Sequence, residues 1–96
     1  MEKLNSEKKI TLTEFWNSKK TMAIHCNTKE KAKTLLKAFD KLGKKWRNGK
    51  SYLEIDYYGL RHKNTCYSND NRFDGISWYK LNCYTIYEFD EVDLEN

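Results

Sequence analysis

The stretch NTKEKAKTLLKAFDKLG, residues 27–43, decides the fold because its apolar side chains keep a helical period throughout. They recur every three or four residues and define one stripe for burial, formed by Ala32, Leu35, Leu36, Phe39 and Leu42. Asn27 is a typical N-cap, and Glu30 completes a capping box. Gly43 stands where a helix needs a left-handed residue to end. The pattern predicts a main helix over about residues 28–42.

Two shorter elements are predicted before this helix. Thr11 followed by Glu14 is a capping-box pattern, which predicts a short helix over about residues 12–19. The stretch TMAIHC, residues 21–26, alternates in character and predicts a strand that places His25 and Cys26 on opposite faces. Residues 1–10 show no clear period, so we expect a frayed N-terminus.

The segments after the main helix have the composition of short strands joined by turns. Asn48-Gly49 predicts a hairpin that pairs residues 44–47 with residues 50–55. A loop is predicted over residues 56–63, and an acidic tail over residues 91–96. Further strands are predicted at residues 65–68, 76–80 and 83–89.

Together these elements predict a single α+β domain over residues 11–90. The main helix is expected to pack on a small antiparallel sheet of four or five short strands, with the short N-terminal helix beside it. Aromatic residues make up 15% of the 96-residue chain, which compensates for its scarce aliphatic side chains.

The formal net charge of +4 conceals an uneven distribution along the chain. Residues 21–50 carry nine Lys or Arg against two acidic residues, whereas residues 51–96 carry four against nine. The lysines of the main helix form a basic face that attracts phosphate or is simply solvated. Lysines outnumber arginines 15 to 3, which disfavours a sequence-specific nucleic-acid interface because arginine makes the bidentate contacts to bases.

Several classes of protein are disfavoured by the sequence. No apolar run reaches the roughly 20 residues that cross a bilayer, and the first residues lack a secretory signal. The three cysteines Cys26, Cys66 and Cys83 cannot form a complete internal disulfide framework. We therefore expect reduced thiols in a cytoplasmic protein.

Catalytic and metal-binding motifs are not recognisable either. The histidines and cysteines match no usual zinc spacing, and no phosphate-binding or nucleophile motif occurs. His62 with Cys66 or Cys83 is the one pairing that leaves nucleophilic catalysis open. We expect a protein that is not an enzyme and has no catalytic residue, metal or cofactor.

The stretch NTCYSNDNRFDGISWY, residues 64–79, combines aromatic rings, carboxamides and an arginine. Rings stack on nucleobases, amides bond to base edges, and guanidinium groups bind phosphate. With the neighbouring turns it predicts a ligand-binding site formed by Trp46, Arg47, Tyr57, Tyr58, Arg61, His62, Tyr67, Asn69, Asn71, Arg72 and Trp78. The alternative is that the large rings belong to the core and the asparagines form turns.

Three segments, AIHCNTKEKAKTLLKAFDKLGKKWRNGKSY, NTCYS and YTIYEF, resemble small accessory proteins of phages and prophages of low-GC Gram-positive bacteria. The resemblance covers most of residues 22–90 and implies action by binding in the cytoplasm of the host cell, including against antiviral defences. We expect a protein that counters host defence by stoichiometric capture of a small anionic nucleotide signal. The alternatives are an inhibitor that binds a host defence or nuclease protein, as anti-CRISPR proteins do, and a nucleic-acid-binding protein that uses the basic helix.

A homodimer is also expected from the composition. The core of so short a chain is thin, and exposed rings on a soluble chain usually have a partner.

Overall fold

The computed structural model describes residues 9–94 and has the predicted α+β architecture. The described residues contain four α-helices: α1 Leu12–Asn17, α2 Lys29–Lys41, α3 Tyr58–Arg61 and α4 Ile76–Leu81. The strands are β1 Ile10–Thr11, β2 Met22–His25, β3 Thr65–Ser68, β4 Phe73–Gly75, β5 Thr85–Glu88 and β6 Val92–Asp93. Short 3-10 turns follow α3 at His62–Asn64 and β5 at Phe89–Glu91.

The central sheet has four strands in the order β4-β3-β2-β5. The pairs β4–β3 and β3–β2 are antiparallel, but β2 pairs with β5 in parallel. The prediction of an antiparallel sheet is therefore wrong for β5. Parallel neighbours require a crossover connection, and α4 lies in the connection that leads to β5.

A separate parallel pair, β1 with β6, joins the two ends of the described chain, with Ile10 opposite Val92. Val92 is buried. The frayed segment predicted up to residue 10 and the acidic tail predicted from residue 91 each overlap this pair. Residues 1–8, 95 and 96 of those two predictions lie outside the described residues.

The apolar stripe of α2 is buried as its period predicts, up to residue 39. Ala32, Leu35, Leu36 and Phe39 all lie in the core. The predicted cap is wrong by one residue, because Lys31 N donates to Thr28 Oγ1 at 3.2 Å and Thr28, not Asn27, is the N-cap.

The end of α2 confirms one prediction and corrects another. Gly43 has the left-handed φ of +79° that ends the helix. Leu42 was predicted in the buried stripe, but it is 45% exposed. The reason is that the helix ends at Lys41, so Leu42 no longer follows the helical period.

Helix α1 begins with the predicted capping box. Glu14 N donates to Thr11 Oγ1 at 3.1 Å, and Thr11 N donates to Glu14 Oε1 at 3.0 Å. The helix ends at Asn17, two residues earlier than predicted, and buries Leu12 and Phe15.

The predicted hairpin is confirmed at its turn only. Trp46 N donates to Lys50 O at 3.0 Å, and Gly49 has φ of +86°. Pairing stops at the bridge between Lys45 and Ser51, so the strand predicted over residues 50–55 is wrong. Ser51 ends it, because its hydroxyl and carbonyl oxygens accept from the amides of residues 53 and 54 and form a turn.

Two more predictions differ from the structure, the first of them for a tertiary reason. Residues 76–80 were predicted as a strand from their β-branched and aromatic side chains, but they form α4. Tyr79 of this helix is fully buried on the sheet, and packing of this kind overrides β-propensity. Residues 56–63, predicted as a loop, contain α3.

The sheet buries both of its faces. On one face Ile24 and Tyr67 pack against α1 and α2 in the main core. On the other face Ala23 and Cys66 pack against Tyr79 of α4. The alternation predicted for β2 is confirmed, since residues 23 and 24 belong to different clusters. None of the helices in residues 9–94 combines the length and apolar character that a bilayer span needs.

The buried face of α2 gives a direct stability test. We expect Leu35→Asp to unfold the domain, because it places an unpaired carboxylate in the core. Thr34→Asp is the matched control, since residue 34 is exposed on the same helix and the change should cost less than about 1 kcal/mol. Urea denaturation followed by circular dichroism measures both, and equal midpoints would show that the assigned face is wrong.

The thiols provide a second test. Cys83 is exposed, whereas Cys26 and Cys66 are buried. Burial raises the pKa of the Cys66 thiol to about 12 and also raises that of Cys26, and the thiolate is the reactive form. We expect one cysteine of the folded protein to react promptly with a disulfide reagent, and all three after unfolding. Cys83→Ser should remove the prompt reaction, and prompt reaction of a second thiol would contradict the fold.

Candidate functional site

Two turns face each other across a groove of about 300 Å³. One turn is residues 46–48 of the hairpin, and the other is residues 70–73 between β3 and β4. Arg47 Nε donates to Asp70 O at 3.0 Å, and Asn71 Nδ2 donates to Lys45 O at 2.6 Å. These bonds fix the distance between the two walls. The groove is lined by Trp46, Arg47, Asn48, Tyr57, Asn71, Arg72 and Phe73.

The backbone of the second turn follows from its sequence. Asn71 has φ of +66°, a left-handed conformation that asparagine adopts more readily than most residues. The backbone N–H of Asn71 donates to Ser68 O at 3.2 Å. Ser68 N donates to Arg72 O at 3.0 Å, and the two bonds close the turn. The result is that the Asn71 side chain meets the hairpin while Arg72 and Phe73 line the groove.

Aromatic rings form the floor of the groove. Trp46 is buried, and its Nε1 donates to Ile55 O at 2.9 Å. Tyr57 and Phe73 are half-buried at the rim and stack with centroids 4.3 Å apart and planes within 5°. Tyr57 is held at φ of +56°, an uncommon conformation for a bulky side chain that is often found at functional sites.

Asp70 organises the charges beside this floor. Its carboxylate accepts hydrogen bonds from the Ser68 and Tyr84 hydroxyls. Arg72 Nε lies 3.3 Å from Asp70 Oδ2, as an ion pair without hydrogen-bond geometry. Burial raises the pKa of the Tyr84 hydroxyl, and its bond to Asp70 acts in the same direction, so Tyr84 stays protonated and donates.

Both arginines of the groove are therefore oriented by one residue. Arg47 is bonded to the Asp70 carbonyl and Arg72 is paired with the Asp70 carboxylate. The Arg72 guanidinium also lies 5.7 Å from the centroid of the Trp78 ring. In each case the contact to Asp70 uses Nε, and no hydrogen bond within residues 9–94 uses the two terminal nitrogens. These nitrogens are the donors that bind phosphate in pairs.

A basic depression of about 610 Å³ adjoins the groove and shares Trp46, Arg47 and Asn71 with it. Lys44 and Lys45 line it. Lys44 Nζ lies 5.0 Å from the centroid of the Trp16 ring, which holds this ammonium against the core by a cation–π contact. Arg47 connects the two spaces, so an aromatic groove and a cationic depression form one continuous surface.

The structure brings together five of the eleven residues predicted from the sequence: Trp46, Arg47, Tyr57, Asn71 and Arg72. Trp78 lies outside the lining of the groove but contacts Arg72.

The other predicted residues lie elsewhere. Tyr58 and Tyr67 are buried in the core. The Asn69 carboxamide is fully used, because its Oδ1 accepts from Met22 N and its Nδ2 donates to Phe15 O and Lys20 O. Arg61 pairs with Asp74 at 3.1 Å, and His62 is exposed beyond α3. For Tyr67 and Asn69, the alternative interpretation as core and turn residues is the one that the contacts support.

Sequence reasoning missed several members of this surface. Asn48 and Phe73 line the groove, and both are close in sequence to predicted residues. Asp70 lies between two predicted asparagines, so its position in the turn was visible. Tyr84 was not recognisable, because its contact to Asp70 joins residues 14 positions apart across α4.

No hydrogen bond joins a histidine to a cysteine within residues 9–94. Both ring nitrogens of His25 are engaged, with Glu88 Oε1 at 2.8 Å and Lys63 O at 2.7 Å. His62 is exposed, whereas Cys66 is buried with its thiol directed at Asn64 O. Within residues 9–94 no three His, Cys, Asp or Glu side chains gather in a way that could hold a metal ion.

Comparison of the chain with known protein families, curated proteins and solved structures gave no match. The phage-type context therefore stays a prediction from the sequence.

Proposed function

We propose that the protein is a non-enzymatic binding protein that captures a nucleotide-like anionic ligand at the groove between residues 46–48 and 70–73. The observation that carries this proposal is the pair of arginines, Arg47 and Arg72, held by Asp70 at the edge of an aromatic floor. A flat apolar surface beside two oriented guanidinium groups matches a ligand that joins a planar base to phosphate.

The base would stack on the rim rings. Tyr57 and Phe73 are already stacked on each other, so their position does not have to change when a further ring is added. Such stacking is tolerant of base identity and contributes about 1–3 kcal/mol. Asn48 adds a means of discrimination, because its Oδ1 accepts from Lys50 N and its amide nitrogen, which makes no hydrogen bond within residues 9–94, can meet a base edge.

The phosphate would lie toward the basic depression. Arg47 borders both spaces, and Lys44 and Lys45 lie beyond it. Because Asp70 orients both arginines before the ligand arrives, little side-chain entropy is lost on binding. The groove lies at the lower end of the about 300–1,000 Å³ typical of ligand sites. It therefore suits one nucleoside unit, with its phosphates extending over the lysines.

The role that we propose is sequestration in the cytoplasm of the host cell. The resemblance to phage accessory proteins supports a signal of host antiviral defence as the ligand, and capture without chemistry would withhold that signal in proportion to the protein present. The leading alternative is an inhibitor that binds a defence or nuclease protein directly.

Nucleic acid is a second candidate ligand because of one feature of α2. Four exposed lysines, Lys29, Lys33, Lys37 and Lys41, follow one another at intervals of four residues. That spacing places them in a row with about 6 Å of helix rise between neighbours. Lysines supply point charges rather than bidentate contacts, so this row favours weak binding without sequence preference.

The groove proposal is tested by isothermal titration of mono-, di- and cyclic nucleotides into the folded protein. Arg72→Ala should weaken binding by at least about tenfold, because a charged hydrogen bond contributes about 1.5–3 kcal/mol. Tyr57→Ala should also weaken binding, since it removes a stacking surface. Arg61→Ala is the matched control, because Arg61 pairs with Asp74 outside the groove.

Each variant must first show the circular dichroism spectrum of the wild type. If no nucleotide binds the folded wild type, the groove is not a nucleotide site and direct inhibition of a protein becomes the leading hypothesis. An equal loss of binding in Arg61→Ala would also contradict the proposal, because the effect would then not be specific to residues of the groove.

The lysine row predicts a steep salt dependence for any nucleic-acid binding. We expect only weak association of duplex and single-stranded DNA at about 50 mM salt, lost by about 200 mM because counterion release then gains less entropy. Fluorescence anisotropy with labelled oligonucleotides of unrelated sequence measures it. Tight binding at the higher salt, with a preference for one sequence, would show that nucleic acid is the principal ligand.

A further inference from the structure

A second groove, of about 630 Å³, lies between α2 and the segment 52–56. It shares no lining residue with the proposed nucleotide groove or the basic depression. Its lining consists of Lys33, Leu36, Lys37, Tyr52, Leu53, Glu54, Ile55 and Asp56.

Two large apolar side chains are exposed at this groove. Leu53 is 59% exposed and Ile55 is 40% exposed. Ser51 fixes their position, because its Oγ accepts from Leu53 N at 3.0 Å and lies 3.3 Å from Asp40 Oδ1 on α2. Leu53 is thus presented to solvent by a turn that is tied to the main helix. Exposed apolar side chains on a fixed backbone next to a concave surface are typical of a protein–protein contact.

The two walls of this groove carry opposite charges. Lys33 and Lys37 lie one helical turn apart on α2, and Glu54 and Asp56 lie on the facing segment. Asp56 Oδ1 accepts from Tyr58 N at 2.9 Å, so it has a structural role. Lys33, Lys37 and Glu54 form no ion pair with any residue in the range 9–94.

The opposite charges of the two walls restrict which occupant can bind in this groove. An occupant of a single charge sign would be repelled by one of the walls. An occupant that satisfies both must carry acidic and basic groups on either side of an apolar centre, in the opposite order. A second copy of this chain related by a twofold axis meets that requirement, because a twofold interface brings the same patch together in reverse.

We propose that the protein forms a twofold homodimer through this groove. Lys33 and Lys37 of one protomer face Glu54 of its partner, and the reverse contact is made on the other side of the axis. Leu53 and Ile55 of both protomers lose contact with water at the centre. None of the residues that line the nucleotide groove belongs to this patch.

Charge reversal tests the pairing directly by sedimentation velocity over a range of concentrations. Lys33→Glu with Lys37→Glu gives a protomer with an all-acidic patch, and Glu54→Lys gives one with a more basic patch. We expect each variant alone to dissociate at least about tenfold more readily than the wild type, because like charges face each other. An equimolar mixture of the two should recover the dimer, since both contacts then join opposite charges.

The matched control is Lys29→Glu with Lys41→Glu, which makes the same change of charge on α2 outside the groove. It should dimerise like the wild type. Leu53→Asp should be monomeric and folded, because Leu53 is exposed in the protomer.

A wild type that is monomeric at every concentration overturns the proposal, as does a dimer that survives both charge reversals or a mixture that stays monomeric. Arg72→Ala should dimerise normally, because Arg72 lines only the nucleotide groove. Failure of the dimer proposal is therefore distinguishable from failure of the nucleotide proposal.

Discussion

A continuous chain of aromatic contacts holds this domain together, and both proposed surfaces depend on it. Phe15 of α1 stacks on Phe39 of α2 at 5.9 Å, and Phe39 meets Tyr52 edge-on at 5.2 Å. Tyr52 packs on Trp46 at 4.5 Å, and Trp46 meets Tyr57 at 4.9 Å. Each such pair contributes about 0.5–1.5 kcal/mol beyond the area that it buries. These rings pack in the same core as the aliphatic side chains of α1, α2 and β2 and supply much of its volume.

The chain of rings connects the two grooves. Trp46 lines the proposed nucleotide groove and Tyr52 lines the proposed dimer groove, and the two rings are in contact. The hairpin turn at residues 46–48 and the segment 52–56 are therefore each anchored by a buried ring. Such pre-organisation lowers the entropy lost when a ligand or a second protomer binds.

One short turn, residues 69–71, combines structural and functional roles. Asn69 bonds to the backbone of α1, β2 and the segment between them, and Asn71 bonds to the hairpin. Asp70, between them, orients Arg47 and Arg72. The amide-rich stretch is thus neither purely a lining nor purely a set of turn formers. Its outer members brace the fold, and its central residue orders the charges that we propose bind phosphate.

The elements that could be predicted are those held by contacts between near neighbours in the chain. The capping box of Thr11 and Glu14, the apolar stripe of α2 and the Asn48-Gly49 turn each involve residues a few positions apart, so their local pattern is sufficient. The aromatic and guanidinium character of the site could also be predicted, because composition does not depend on the fold. What the pattern could not supply was the partner of each residue.

Three features depend on the tertiary structure alone: that residues 76–81 form a helix, that β5 pairs with β2 in parallel, and which residues line the groove. Tyr79 has the propensity of a strand residue but is buried by a helix on the sheet. His25 and Glu88 are 63 positions apart, and they meet because β5 pairs in parallel with β2 after the crossover connection that contains α4. Arg47 reaches Asp70 across 23 positions, and that contact determines which rings and arginines share a groove. Such contacts form only when distant segments bury their apolar faces together, and no period within one segment records which other segment it will meet.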